Sequence, residues 1–284
     1  MVELLRTTRD LRDAVGSARA AGKRIGCVPT MGYLHEGHAT LMREAHMECD
    51  FVVVTIFVNP TQFGPNEDFE RYPRDLERDA AICRSVAVDT IFAPDVMEMY
   101  PERPLLTTVR VAGLTETLCG ASRPGHFEGV ATVVAKLLNI VRPDVAYFGQ
   151  KDAQQLAVVR QMVADLNMDF VAIRGVPIVR EPDGLARSSR NVYLTPPERE
   201  AAPMLYRSLQ MAETRVRAGE RNMRALAQAM RSLIGTEPLA NIDYVEIVDA
   251  QTLQPIERLE RPALAALAVK FGRTRLIDNC TLEP

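Results

Sequence analysis

From residue 25 to residue 179, short β-branched apolar runs alternate with helical patterns, and that alternation restricts the fold more than any other feature of the chain. The runs IGCVP (25–29), FVVVTIFV (51–58), DTIFAP (89–94), DVAYFG (144–149) and FVAIRGVPIV (170–179) are continuous in apolar character. Strands buried on both faces read this way, whereas half-solvated strands alternate. Helical patterns near 38–48, 75–86, 127–141 and 152–166 fill the gaps. Strands joined by helical crossovers run parallel, with helices covering the sheet. The expected fold class is therefore α/β: a Rossmann-like parallel sheet with helices on both faces. Ligands of such sheets sit at the carboxyl ends of the strands, where strand order reverses.

The pattern changes near residue 180. REPDGLARSSRNVYLTPPERE (180–200) is rich in turn formers and charge, and reads as a loop leading into a helix that Pro196 and Pro197 start. A helical stretch over 197–234 is expected to break near Gly219. Three strand-like runs follow without long helices between them: 242–250, 263–272 and 274–279. The expected division is a Rossmann-like domain over 1–176 and a smaller C-terminal α+β domain over 177–284.

Composition matters here for what it excludes. A net charge of −3 supplies no excess of cations to displace counterions from a phosphate backbone, so no nucleic acid partner is expected. The five cysteines, Cys27, Cys49, Cys83, Cys119 and Cys280, are odd in number, scattered, and form no CxxC pair. That argues for a reducing, cytoplasmic setting. The first dozen residues mix acidic and basic charges, so no signal peptide is read there, and no membrane-spanning run is found.

The stretch PTMGYLHEGH (29–38) holds two of the four histidines, His35 and His38. Three readings are open. As metal ligands, the pair departs from HExxH, which spaces its ligands four apart; here the spacing is three, Gly37 interrupts, and no third ligand is near in sequence. As a structural pair, the rings bond only each other and a loop. As a phosphate site, they stand where a strand, a glycine-containing loop and a helix start meet. Backbone N–H groups and the helix dipole favour an anion there.

Other polar clusters fall at the ends of the same predicted strands. Asn59 and Gln62 follow 51–58; Lys151, Asp152, Gln154 and Gln155 follow 144–149; and RSSRN (187–191) brings hydroxyls and guanidinium groups into one loop. Each alone reads as an ordinary turn or solvated loop. Together, at successive strand ends of one parallel sheet, they point to a site.

The blocks PTMGYLHEGH, IFVNPTQFGPNEDFERYPRDLERD, GASRPGHFEGV, FGQKDAQQL, GVPIVREPDGLARSSRN and RLIDN, in this order, resemble the pantoate–β-alanine ligase family over nearly the full chain. HEGH is similar to the HIGH signature of the class I nucleotidylyltransferase superfamily, and RSSRN to its KMSKS counterpart. The resemblance implies an ATP-dependent ligase acting in two steps through pantoyl adenylate, on (R)-pantoate and β-alanine, with Mg²⁺ and as a homodimer. It implies ATP contacts at Met31, Gly32, Tyr33, Leu34, His35, Glu36, Gly37 and His38, at Gly149, Gln150, Lys151 and Asp152, at Val179, and at Arg187, Ser188, Ser189 and Arg190. It places pantoate on Gln62 and Gln155, with Gln62 also near β-alanine, and gives His38 the catalytic part.

The chemistry fits these residue types. The substrate's own carboxylate attacks, so no protein nucleophile is needed, and the protein must position and neutralise charge. His35, His38 and Lys151 suit the α-phosphate; Ser188, Ser189 and Arg190 suit the outer phosphates. Asn59 is a further candidate for holding substrate, Arg123 holds either substrate or an internal loop, and Asp79 is the candidate metal ligand or else a solvated helix carboxylate. Ala153 stands where the family commonly has an aromatic residue, and Arg187 where it has Met or Leu. Two rivals remain: a nucleotidylyltransferase of the same superfamily with another acceptor, for which Gln62 and Gln155 have no obvious role, and a catalytically inactive nucleotide-binding regulator.

Overall fold

The computed structural model describes residues 2–65, 67–101 and 105–284. They form two compact units. The first takes Met1–Val111, Arg123–Gln150 and Gln155–Pro177; the second takes Ala112–Ser122, Lys151–Gln154 and Ile178–Pro284. The main division falls at 177/178, and two short segments, 112–122 and 151–154, belong with the C-terminal unit.

The first unit is a six-stranded sheet built from β1 (Glu3–Leu5), β2 (Ile25–Thr30), β3 (Phe51–Ile56), β4 (Thr90–Phe92), β5 (Val145–Gly149) and β6 (Ala172–Val176). Its order is β1-β4-β3-β2-β5-β6, and every pair is parallel. The chain winds outward from β2 through β3 to β4, then returns to add β5 and β6 on the other side of β2. The switch point thus lies between β2 and β5, and the loops that leave those two strands carry Met31–His35 and Gln150. Val28, Val52, Val54, Ile91 and Val145 are fully buried in the sheet, which is why these runs show no polar alternation.

The expected helices appear as Glu36–Glu48, Leu76–Ser85, His126–Val141 and Ala153–Asp165. The strand β1 and the helix Thr8–Ala20 were not expected. The strand has only three residues, too few for a period, while the helix has a local start signal in Thr7, whose hydroxyl accepts from the Asp10 N–H at 3.1 Å.

In the second unit β7 (Ala240–Asp249), β8 (Ala263–Phe271) and β9 (Thr274–Leu282) make an antiparallel sheet in that order. The helices Met204–Arg217 and Met223–Ile234 bury Leu205, Leu209, Leu226 and Met230 in one core with Val245 and Leu267. Gly219, at φ +100°, lies between the helices, so the break falls where the sequence put it. The helical stretch is interrupted a second time, between Pro196–Ala201 and Met204–Arg217, where Pro203 has no N–H to continue the ladder. Among the described residues, no helix is long and apolar enough to cross a membrane.

Candidate active site

In the first unit, β2 ends at Thr30, and the backbone then turns sharply through Gly32 (φ +84°) and Tyr33 (φ +50°). Asp79, on the helix Leu76–Ser85, secures this turn. Its Oδ2 accepts from the Tyr33 N–H and its Oδ1 from the Leu34 N–H, both at 2.7 Å. The carboxylate is 1% exposed; burial pushes its pKa up, and the two amides and Arg78 pull it back only in part. Both oxygens of the candidate metal ligand Asp79 thus face backbone amides. Among the described residues, no group of three or more His, Cys, Asp or Glu converges to hold a metal ion.

The turn delivers His35 to the N-cap of the helix Glu36–Glu48; the sequence reading had started that helix at His38. His35 Nδ1 accepts from the Gly37 N–H at 3.1 Å, and His38 Nδ1 accepts from the His35 N–H at 3.2 Å. The His38 N–H donates to the His35 carbonyl at 2.8 Å. Two first-turn amides that the phosphate reading treated as unsatisfied are therefore bonded. A ring whose Nδ1 accepts carries its proton on Nε2, so the hydrogen-bond pattern assigns an Nε2–H donor to each histidine. The ring centroids stand 4.1 Å apart. Gly37 makes this possible: a Cβ there would lie 2.9 Å from His35 Cε1.

At the end of β3, Asn59 is 1% exposed and both its side-chain polar atoms are engaged. Its Oδ1 accepts from Tyr100 Oη (2.8 Å) and Thr61 Oγ1 (3.0 Å); its Nδ2 donates to the Gly129 carbonyl (3.1 Å) and Gln62 Oε1 (3.0 Å). That last bond sets the Gln62 amide, leaving Nε2 to donate to Met31 Sδ at 3.0 Å. The helix His126–Val141 approaches so closely that a Cβ on Gly129 would stand 2.3 Å from the Thr61 carbonyl oxygen, so only glycine fits.

Arg123 also supports Gln62. Its Nε and Nη2 grip Glu67 at 2.6 and 2.5 Å, and its Nη1 meets His126 Nε2 at 3.0 Å. His126 Nδ1 lies 2.8 Å from the Gln62 carbonyl oxygen; a carbonyl only accepts, so Nδ1 donates and Nε2 accepts from Arg123. Gln155 is half-buried on the first turn of Ala153–Asp165.

In the second unit, Lys151 and Asp152 lie in the turn Gln150–Asp152, and Lys151 O accepts from Asn279 Nδ2 at 2.9 Å. Gln154 is taken up by the fold, its Nε2 donating to the Leu114 and Thr117 carbonyls at 2.8 Å. Ser188 caps the short turn Ser189–Tyr193, its Oγ accepting from the Arg190 N–H at 3.3 Å. Arg187 pairs with Glu181 at 3.0 Å, and its N–H donates to the Val179 carbonyl at 2.9 Å, so its guanidinium has a partner within the hairpin. The supporting residues Tyr100, Glu67, His126, Arg180 and Asp278 were not singled out from sequence. Four of the five, Glu67, His126, Arg180 and Asp278, lie inside the quoted blocks, and that membership was the available signal; Tyr100 lies outside them.

A parallel sheet whose switch point adjoins a His-x-Gly-His helix start defines the class, a Rossmann-like α/β protein of the paired-histidine kind. A family model described as pantoate-beta-alanine ligase matches residues 3–281. The pantothenate synthetase of Pelotomaculum thermopropionicum is 60% identical over 97% of both chains, and that of Heliobacterium modesticaldum 58% identical over 99% of this chain and 100% of the other. The crystal structure of pantothenate synthetase from Thermus thermophilus superposes with a TM-score of 0.94 at 48% identity, covering all of both chains. That of pantoate-beta-alanine ligase from Francisella tularensis, complexed with beta-gamma ATP and beta-alanine, gives 0.80 at 35% identity, over 99% of this chain and 97% of that one. The chain belongs to the pantoate–β-alanine ligase family.

Proposed function

We propose that the chain condenses (R)-pantoate with β-alanine, driven by ATP. A pantoate carboxylate oxygen attacks the α-phosphorus, the α–β phosphoanhydride bond breaks, and pyrophosphate leaves. The β-alanine amine then attacks the acyl carbon of pantoyl adenylate, the bond to AMP breaks, and the amine gives up a proton as pantothenate forms. The observation that carries this reading is the pair of Nε2–H donors on His35 and His38, in the same unit as a Gln62 amide oriented by Asn59.

Two preorganised N–H donors suit charge growing on a phosphoryl group. His38 is assigned the catalytic part and His35 the supporting one. Gln62 Nε2 bonds a thioether, a weak acceptor, and so passes readily to a carboxylate or hydroxyl of pantoate. A neutral amide holds that carboxylate without an ion pair that would blunt its attack. Gln155 is the second pantoate residue. Lys151, Ser188, Ser189 and Arg190 are assigned to phosphate oxygens, and Arg187 to an ATP contact beyond its pair with Glu181. Backbone at Met31–Leu34, Gly149, Gln150, Asp152 and Val179 is assigned to ATP. Mg²⁺ fits as an ion delivered on the triphosphate, neutralising its charge, since such ions keep waters and few protein ligands. A homodimer and a cytoplasmic setting complete the reading; all five cysteines are unpaired.

The test is ATP–pyrophosphate exchange with Mg²⁺ and (R)-pantoate, without β-alanine. Exchange that requires pantoate, followed by AMP and pantothenate on adding β-alanine, is the expected result. Exchange with another acceptor, or none despite ATP binding, overturns it. In the same assay Gln155→Ala should raise the pantoate KM and leave ATP affinity nearly intact.

A further inference from the structure

The second unit holds Lys151 and the hairpin before Ser188 from one short piece of chain, Asp278–Asn279 on β9. Asn279 Nδ2 donates to the Lys151 carbonyl at 2.9 Å, fixing the backbone from which a long, flexible side chain springs. Its neighbour Asp278 takes both ends of the Arg180 guanidinium, at 2.6 and 3.0 Å, and accepts from the Asn279 N–H at 2.8 Å. Arg180 in turn donates to the Gly184 carbonyl at 3.0 Å and stacks 4.1 Å over Tyr206. It also opens the hairpin: Arg180 bridges Ala186 across it, Glu181 N–H reaches the Leu185 carbonyl at 2.8 Å, and Arg187 N–H reaches that of Val179 at 2.9 Å. Ser188 follows directly. Gly184 (φ +93°) lies so close to Tyr206 that no Cβ fits.

Both side chains are buried, Asp278 at 2% exposure and Asn279 at 8%. Neither carries out chemistry in the reaction above. A buried ion pair of this kind contributes little net stability over an apolar pair, and its best-attested use is to fix geometry. We propose that Asp278 and Asn279 are positioning residues of the adenylation site: Asn279 sets Lys151 through its carbonyl, and Asp278, through Arg180, sets the approach of Ser188–Arg190. The inference rests on the proposed function and assigns the RLIDN segment a part in it.

The experiment measures pantoate-dependent exchange and thermal unfolding of the whole chain for Asn279→Ala and for the near-isosteric Asn279→Asp, which cannot donate to the carbonyl. Asp249→Asn serves as the control, because Asp249 is an equally buried carboxylate of this unit, bonded to Thr252 and Arg261 and remote from the assigned residues in sequence. Both Asn279 variants should lose about tenfold or more in kcat/KM for ATP, with pantoate KM within about twofold of the parent and a Tm shift no larger than the control's. In a Lys151→Ala background, Asn279→Ala should change the residual rate by less than about twofold, because the two act as one. Parent-like kinetics, a loss that follows Tm as in Asp249→Asn, or a full further loss on top of Lys151→Ala would each overturn the proposal. A parent protein without pantoate-dependent exchange would instead refute the function itself.

Discussion

Asp79 in the first unit and Asp278 in the second are both almost fully buried carboxylates, and each steadies a loop assigned to ATP, yet they are held in opposite ways. Asp79 receives two backbone N–H groups, with Arg78 as a distant partner at 3.9 Å. Asp278 receives a guanidinium fork. Burial pushes both pKa values up, and in neither case do the partners fully cancel it. An amide clamp leaves only neutral groups behind if it is broken, whereas an ion pair leaves a charge. The first unit thus steadies its histidine turn with neutral groups, while the second ties its hairpin to β9 through a charged pair.

The largest expected effect follows from that difference. Asp278→Ala strands Arg180 and should lower unfolding free energy by about 3–5 kcal/mol, measured by urea titration. Next comes His38→Ala, which should slow turnover more than about a hundredfold with little loss of stability, as for one lost transition-state donor; near-parent turnover would remove His38 from the mechanism. Asp79→Asn keeps one acceptor but turns an NH₂ toward a backbone N–H, and should cost about 1–3 kcal/mol. If it costs more than Asp278→Ala, the contrast between the units fails.

A smaller effect separates raised from lowered carboxylates. Burial pulls Glu67 upward, but the hydrogen bonds and charge of Arg123 prevail and its pKa is lowered. Its contribution is therefore present above the unfolded value of about 4.3 and is lost as pH falls through the lower folded value. Asp79 is raised, so its titration favours the folded state below about 3.9, and that contribution is lost as pH rises through the folded value. Between pH 6 and pH 3 the stability gap between parent and Glu67→Gln should narrow, while that for Asp79→Asn should widen. Parallel gaps would refute the assignment. Least of all, Glu181→Gln removes a part-exposed partner of Arg187 and should cost less than about 1 kcal/mol.

Much of this was legible in the chain itself. Continuous β-branched runs announced the parallel sheet because both of its faces are covered, and Gly219 marked its helix break through its backbone freedom. HEGH pointed to its place at a helix start, although the cap fell on His35 because a histidine Nδ1 can take the role that Ser or Asp usually plays. Less legible were the supporting contacts. Asn59 also bonds Tyr100 and Gly129, dozens of residues away, and no local pattern reports a partner at that distance. For Asp79 the sequence shows a carboxylate but not the two amides that face it. Arg123 was read two ways, and the structure gives it Glu67 and His126.

The close stacking of His35 over Gly37 has a consequence for how the signature can vary. Glu36 projects outward to a surface pair with Arg43 at 2.6 Å, whereas a Cβ at position 37 would crowd the His35 ring at 2.9 Å and positions 35 and 38 bond backbone N–H groups of the same turn. Of the four letters, two are tied by the His35 ring lying on the Gly37 peptide, the fourth by the bond from the His35 N–H to His38 Nδ1, and the second by neither contact. Substitutions should therefore be tolerated best at position 36, and Gly37→Ala should displace the His35 ring from its bond to the residue 37 N–H.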